Sequence, residues 1–381
     1  MINRIVQAFG DRGCTVVVAG PKALRDNAVF RKDQPFSFVE LPEIPIFETE
    51  GNHAEAAREY TRRLTEAANI YRPDIILTEH FPFLGGIEEK PLIDFLAHVK
   101  KASPSTRIYS IPRDIPPTLL HDSAIRIARD YYDGILVRGD RKLFSFQDFF
   151  TEDEWKKFGD KVSHLGYLIP SAIPVRSGGG VVVGLGGKFH PGDYSLCMKL
   201  MQGFAELPHD LKQKDWRFFV PENCPVSERD ALCAKAQELN QQCGAHIHID
   251  KVGPQFPEAL ASCDLAIARG GITCVEAAAY GKSTLIIPRG VAEQRIRAEA
   301  VAKANIGRVK VLREEGLTLD KLAQSLTQLQ GGRERFVKRP RLEKALIKPI
   351  EIDGHERLAD TLIDRFNGIP TSFHASPLSK A

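Results

Sequence analysis

The segment VGPQFPEALASCDLAIARGGITCVEAAAYGKSTLIIPRGVAEQRIRAEAVAKANIGR, running from Val252 to Arg308, decides the fold class. It contains a short apolar strand at 265–268, a Gly270-Gly271 turn, a helix from Thr273, a second strand at 283–287 and a further helix carrying Gln294. Strands this short and uniformly apolar, alternating with helices, belong to a parallel sheet covered on both faces. A glycine turn that opens a helix is also an anion site. The first backbone N–H groups point outward there, and the helix dipole favours negative charge by roughly 0.3–1 kcal/mol. Glu276, one turn into that helix, and Gln294 on the next can bind hydroxyls. A diphosphate beside hydroxyls describes a nucleotide-sugar.

The same alternation extends outward along the chain. Before the segment, helices are predicted over 3–10, 53–71, 88–101, 118–132 and most of 139–158, with strands at 15–19, 36–41, 74–77, 107–111, 134–138 and 162–166. Residues 167–179, with Pro170, Pro174 and the start of a Ser-Gly-Gly-Gly run at Ser177, read as a linker. Strands follow at 180–184, 216–220, 246–250 and 308–312, with helices over 193–206, 227–243 and 318–329. The expectation is an α/β protein of two Rossmann-like, doubly wound parallel-sheet domains facing across a cleft. They span 1–168 and 180–350; residues 351–381 supply a helix at 353–366 crossing back to the first domain, then a flexible tail. Ligands of such sheets sit outside the carboxyl ends of the strands.

Composition narrows the function classes. The 381 residues are 43% hydrophobic and 27% charged, ordinary for a globular chain. No apolar run approaches the roughly 18 residues of a membrane span. The opening MINRIVQAFGDRG lacks the apolar core of a signal peptide, which places the protein in the cytoplasm. The seven cysteines are scattered without CxxC pairing and read as reduced structural thiols. A net charge of +3, dispersed along the chain, argues against a nucleic-acid partner. The basic run 333–341 reads as a solvated linker first and as a contact for anionic lipid second.

Several spaced elements carry a family resemblance. Gly184-Leu185-Gly186-Gly187, Asp264 through Thr273, Glu276, Ala279 through Ser283, Pro288-Arg289 and Glu293-Gln294 make the second half resemble the C-terminal domain of glycosyltransferase family 28. Arg72-Pro73-Asp74, Thr78 through Phe83, Ile111 through Ile115 and Val137 through Asp140 make the first half similar to the N-terminal domain of a group of predicted bacterial glycosyltransferases. The resemblance implies the GT-B architecture and an inverting hexosyltransferase. Its donor is a nucleotide-diphosphate sugar, UDP first, with no cofactor and no essential metal. The implied acceptor is a lipid-linked or other cell-envelope precursor, with peripheral contact at the inner membrane face. One departure stands out. Domains of this kind open with a strand and a Gly-Gly-His type loop, whereas Met1-Ile2-Asn3-Arg4 already reads as the first helix. The opening strand and loop are expected to be missing from this sequence: either its start is assigned too far downstream, the favoured reading, or the first domain lacks a central strand, which would leave the strand at 15–19 with a costly unpaired edge.

Each candidate residue has a bland reading beside the functional one. Gly270, Gly271 and Thr273 suit a diphosphate, and Thr273 is equally a natural helix cap; the resemblance adds Arg269 to the donor set. Glu276 is implied to bind ribose hydroxyls, or it complements the helix dipole. Glu293 and Gln294 suit sugar hydroxyls, or merely begin an exposed helix. Arg289, with Arg295 and Arg297 nearby, would neutralise the leaving diphosphate. Gly186 and Gly187, followed by Lys188, let backbone approach the donor, or make a tight turn. His190 in the same loop would touch the donor or lie exposed. His80, Asp114 and Arg113 lie at carboxyl ends of adjacent predicted strands. His80 or Asp114 would deprotonate the acceptor hydroxyl and Arg113 would grip an anionic acceptor; otherwise they cap turns or pair with one another. His246 and His248, without a carboxylate at ligand spacing, do not make a metal site. Nucleotide-sugar hydrolysis, 2-epimerisation and non-catalytic nucleotide-sugar binding remain open on the same residues. A nicotinamide-dependent enzyme is disfavoured, since no GxGxxG with a ribose-reading acid follows a first strand.

Overall fold

The computed structural model describes residues 2–26, 36–43, 50–83, 89–116, 122–171, 173–174, 178–304, 308–337 and 350–367. Parts of the linker (175–177), the end of the basic run (338–341) and the tail (368–381) lie outside them. The chain divides into two compact units, residues 1–169 with 351–381, and residues 170–350.

The first unit begins with α1 (Ile2–Gly10), β1 (Val16–Pro21), α2 (Lys22–Asp26) and β2 (Phe36–Leu41). It continues through α3 (Glu50–Tyr71), β3 (Ile75–Glu79), α4 (Glu89–Ala102), β4 (Arg107–Ile111), α5 (Asp122–Tyr131), β5 (Gly134–Val137), α6 (Glu152–Trp155) and β6 (Val162–His164). β3 to β6 form a parallel sheet in chain order. β1 and β2 pair in parallel, Val16 opposite Phe36; among the described residues β1 has no ladder partner on its other edge. Val16 nevertheless packs with Ile75 and Leu77 of β3 in one apolar cluster.

Most of 139–158 is not helical, contrary to the sequence expectation. It holds a 3-10 turn at Phe146–Phe149 and the single turn α6, whose Thr151 and Glu154 form a capping box. Aromatic packing organises it instead. Phe83, Phe146, Phe150, Trp155 and Phe158 meet at ring centroid distances of 4.9 to 6.2 Å. Such geometry gathers rings from turns as readily as from a helix face. The last described helix, here called by its residues Gly354–Phe366, belongs to this unit. Its Leu358, Ala359 and Leu362 join Ala8 and Phe9 of α1 in the core, and Arg12 reaches Glu356 and Asp360 at 2.8 and 2.7 Å.

The second unit holds β7 (Val181–Gly184), α7 (Asp193–Gln202), α8 (His209–Lys212), β8 (Asp215–Val220), α9 (Val226–Cys243), β9 (His246–Lys251) and α10 (Phe256–Ser262). Then come β10 (Leu265–Ala268), α11 (Ile272–Ala279), β11 (Ser283–Ile286), α12 (Ala292–Ala304), β12 (Val309–Val311) and α13 (Leu319–Val337). Its sheet is wholly parallel, in the order β12-β11-β10-β7-β8-β9. The central strands β7 and β10 read VVVG and LAIA and every residue in them is buried, as a sheet covered on both faces requires. Strand order reverses between β7 and β10. From β7 the sheet grows one way through β8 and β9, and the chain then returns to β7's other side to add β10, β11 and β12. A doubly wound sheet opens its ligand crevice at such a reversal, outside the carboxyl ends.

Candidate functional site

The register brings the site residues of the second unit together. Ala268 lies opposite Gly184 on one side and Ile286 on the other, so the loops leaving β7, β10 and β11 emerge level. They carry Gly186-Gly187, Arg269-Gly270-Gly271 and Arg289.

The glycines in these loops have different causes. A side chain at Gly270 would place its Cβ 2.3 Å from the Gln294 carbonyl oxygen, and one at Gly184 would lie 2.9 Å from Thr273 Cγ2. Packing excludes anything larger at both. At Gly187 and Gly271 a Cβ would meet no atom within 4 Å among the described residues, and neither has a positive φ. Neither packing nor backbone conformation demands glycine there; what remains is an open approach to their backbone. Gly186 shares that open space but also needs its φ of +100°.

α11 starts one residue earlier than the sequence suggests, and its cap is Gly271, not Thr273. Thr273 sits inside the first turn, buried. No side chain caps this turn, as is usual for the free N–H groups of a helix start that meets an anion. The Cys274 thiol donates to the Gly271 carbonyl at 3.0 Å and steadies the turn. Glu276 is buried one turn further on.

Beneath the loops lies an ion network the sequence did not reveal. Asp193, the first residue of α7, has no exposed side-chain surface. It accepts from Arg269 Nε at 2.9 Å and from Arg289 Nη2 at 2.6 Å. Arg269, 2% exposed, also donates to the carbonyls of Ile287 and Gly192 and to Glu314. Its guanidinium is therefore part of the scaffold under the loops. Arg289, 15% exposed, additionally holds the Leu185 carbonyl at 3.0 Å. Glu293 pairs with buried Arg297 at 2.8 Å, and Arg297 donates to the Gly270 carbonyl at 3.0 Å. Gln294 Oε1 accepts the Arg289 backbone N–H at 3.0 Å. Thus Glu293 and Gln294 also brace the glycine turn. Lys188, His190 and Arg295 are exposed, as are His246 and His248 on β9.

In the first unit, His80, Arg113 and Arg138 gather at the carboxyl ends of β3, β4 and β5. Arg113 and Arg138 form an isolated parallel bridge that continues the sheet. His80 has φ +65°, a left-handed conformation uncommon for a non-glycine residue and concentrated at functional sites. Its imidazole lies 3.2 Å from the Glu79 carboxylate, 3.1 Å from Arg138 Nη2 and 3.3 Å from Arg113 Nε. Burial, with the charges of Arg138 and Arg113, pushes the imidazole below its ordinary value against the pull of Glu79, so it is neutral at pH 7. Burial opposes ionisation of Glu79, but His80 and Arg138 prevail and hold its carboxyl below the usual range. Asp114 requires a correction as a candidate base. It is 1% exposed, accepts the Tyr167 hydroxyl at 2.8 Å and the Ile115 N–H at 2.9 Å, and so serves as a turn-forming carboxylate. Arg138, which the sequence marked only within a motif, takes its place in the cluster.

Residues 229–349 match the family model for the glycosyltransferase family 28 C-terminal domain. Over 112 residues the chain is 35% identical to the Bacillus pumilus UDP-N-acetylglucosamine--N-acetylmuramyl-(pentapeptide) pyrophosphoryl-undecaprenol N-acetylglucosamine transferase. That match covers 28% of this chain and 29% of the relative, so it spans under a third of either protein. Among solved structures, Acinetobacter baumannii MurG superposes with a TM-score of 0.57 at 16% identity, over 95% of this chain and 94% of that one. A Listeria monocytogenes protein assigned as a UDP-N-acetylglucosamine 2-epimerase superposes with a TM-score of 0.62 at 12% identity, over 96% and 93%. Among the described residues no helix is long and apolar enough to cross a membrane. Residues 229–349 of the second unit are thus similar to a glycosyltransferase family 28 C-terminal domain, and the chain, built of two parallel-sheet units, has the GT-B fold.

Proposed function

We propose that this protein is a glycosyltransferase that moves a sugar, with inversion and without a metal, from a nucleotide-diphosphate donor, UDP first, to an acceptor hydroxyl. The observation that carries the reading is the open backbone at Gly187 and Gly271, on level loops at the strand-order reversal and at the start of α11. A diphosphate is the group such a cradle suits, because backbone N–H donors aimed at developing negative charge stabilise a leaving group without reorganising. Glu276 would take the ribose hydroxyls. In the first unit, His80, neutral at pH 7, is the base for the acceptor hydroxyl. The Bacillus pumilus relative acts on a lipid-linked acceptor, and a cell-envelope acceptor of that kind, met at the inner membrane face from the cytoplasm, is part of the proposal.

Calorimetric titration with UDP tests the donor half; absence of binding heat together with an unchanged melting temperature would remove every nucleotide-based reading. The GT-B likeness to a protein assigned as a 2-epimerase keeps one rival chemistry in play. Incubation with UDP-N-acetylglucosamine alone separates them. An unchanged donor in the absence of acceptor fits transfer, whereas free sugar or an epimer fits hydrolysis or epimerisation.

A further inference from the structure

Among the described residues, Asp193 is the one carboxylate on which the three loops of the cradle converge. Its Oδ1 accepts from Arg269 Nε at 2.9 Å and from Arg289 Nε at 3.2 Å. Its Oδ2 accepts from Arg289 Nη2 at 2.6 Å and from the His190 backbone N–H at 2.9 Å. Four donors fill the capacity of a carboxylate. Through those donors Asp193 reaches the loop after β7 (His190 directly, Leu185 through Arg289, Gly192 through Arg269), the end of β10 (Arg269) and the end of β11 (Ile287 and Arg289). The two arginines lie 76 and 96 residues away in the chain.

Such a group is an expensive way to gain stability. Desolvating a carboxylate and a guanidinium costs several kcal/mol per ion, and a buried arginine–carboxylate arrangement is often no more stabilising than apolar residues of the same volume. What it supplies is geometry, since an arginine fork donates to a carboxylate in one plane and at one distance. The residues it fixes flank Gly187 and Gly271, whose backbone lies open.

We propose that Asp193 is a positioning residue for phosphate recognition. By clamping Arg269 and Arg289 it sets the spacing between the Gly186-Gly187 loop and the Gly270-Gly271 turn, and so the affinity for the second phosphate of the donor. The inference rests on the nucleotide-diphosphate reading above and adds a residue outside the glycine motifs.

The test compares UDP with UMP, because their affinity ratio isolates the second phosphate. Calorimetry on the full chain would use wild type, Asp193→Asn, which keeps size and removes charge, and Arg289→Lys, which keeps charge and removes the fork. Arg289 is partly exposed, so its variant covers the case in which Asp193→Asn does not fold. The expected result is a UMP-to-UDP ratio of dissociation constants reduced about tenfold or more in the variants, while UMP affinity stays within about twofold. A purely structural role would lower the melting temperature and leave the ratio alone. An unchanged ratio in every variant that folds and binds UDP overturns the positioning role. Failure of wild type to bind UDP, or to prefer it to UMP, overturns the diphosphate reading itself.

Discussion

Two glycines on adjacent loops separate stability from function. At Gly270 a methyl group must displace the backbone of α12, since its Cβ would lie 2.3 Å from the Gln294 carbonyl. Gly270→Ala is expected to cost about 1–3 kcal/mol, as overpacking does. At Gly187 a methyl group meets no described atom and the backbone needs no positive φ. Gly187→Ala is expected to stay within about 0.5 kcal/mol of wild-type stability while weakening UDP binding by about tenfold. Urea unfolding and titration on both variants check the pair; full UDP affinity in Gly187→Ala would show that the open backbone serves no ligand. The glycine motifs were legible because their spacing in the chain is local. Asp193 was not. A lone Asp in a first helical turn reads as a partner of the helix dipole, and its real partners come from distant strands. The same limit applied to Asp114, whose partner Tyr167 is 53 residues away and whose burial no motif announces.

Among elements, the parallel strands were the most legible parts. Runs such as VVVG and LAIA are apolar at every position, and only strands buried on both faces tolerate that. The stretch 139–158 was misread because phenylalanines at Phe144, Phe146, Phe149, Phe150 and Phe158 imitate helical periodicity. In the fold Phe146, Phe150 and Phe158 converge from turns, and the stretch owes its order to packing. Phe158 has no exposed surface and lies 4.9 Å from Phe150, 5.5 Å from Trp155 and 5.8 Å from Phe83, which itself follows the His80 turn. Removing its ring should therefore loosen the whole element. Phe158→Ala is expected to destabilise the first unit by about 3–5 kcal/mol. Trp155 fluorescence during urea unfolding reports on this cluster. A loss below about 1 kcal/mol would mean that the capping box at Thr151, not the aromatic cluster, holds the segment.

On the scale of the whole molecule, the two units should answer to different conditions. His80, His164 and His355 all belong to the first unit, and burial is the leading cause that pushes each imidazole below its ordinary value of about 6.5. The unfolded chain therefore takes up these protons first as pH falls, while the folded unit still excludes them. Bound protons then favour unfolding, so stability is fully present above about pH 6.5 and declines as pH drops toward the lowered folded values. Arginine charges near His80 and His355 add to this, since a protonated ring there would face a like charge. The second unit has the opposite handle. A ligand that binds only its folded cradle stabilises it by about 2.7 kcal/mol at a hundredfold excess over the dissociation constant. Hydrogen exchange read by mass spectrometry distinguishes the two responses on the intact chain. Between pH 7.5 and 5.5, corrected for intrinsic exchange rates, protection should fall in β3 to β6 and in the Gly354–Phe366 helix. At constant pH, UDP should raise protection in β7, β10, β11 and α11. A pH change that lowered protection equally in both sets of strands would show that the buried histidines do not govern the acid response. Rising protection of β3 to β6 with UDP, as large as that of β7 and β10, would show that the two units unfold as one and that neither handle is local.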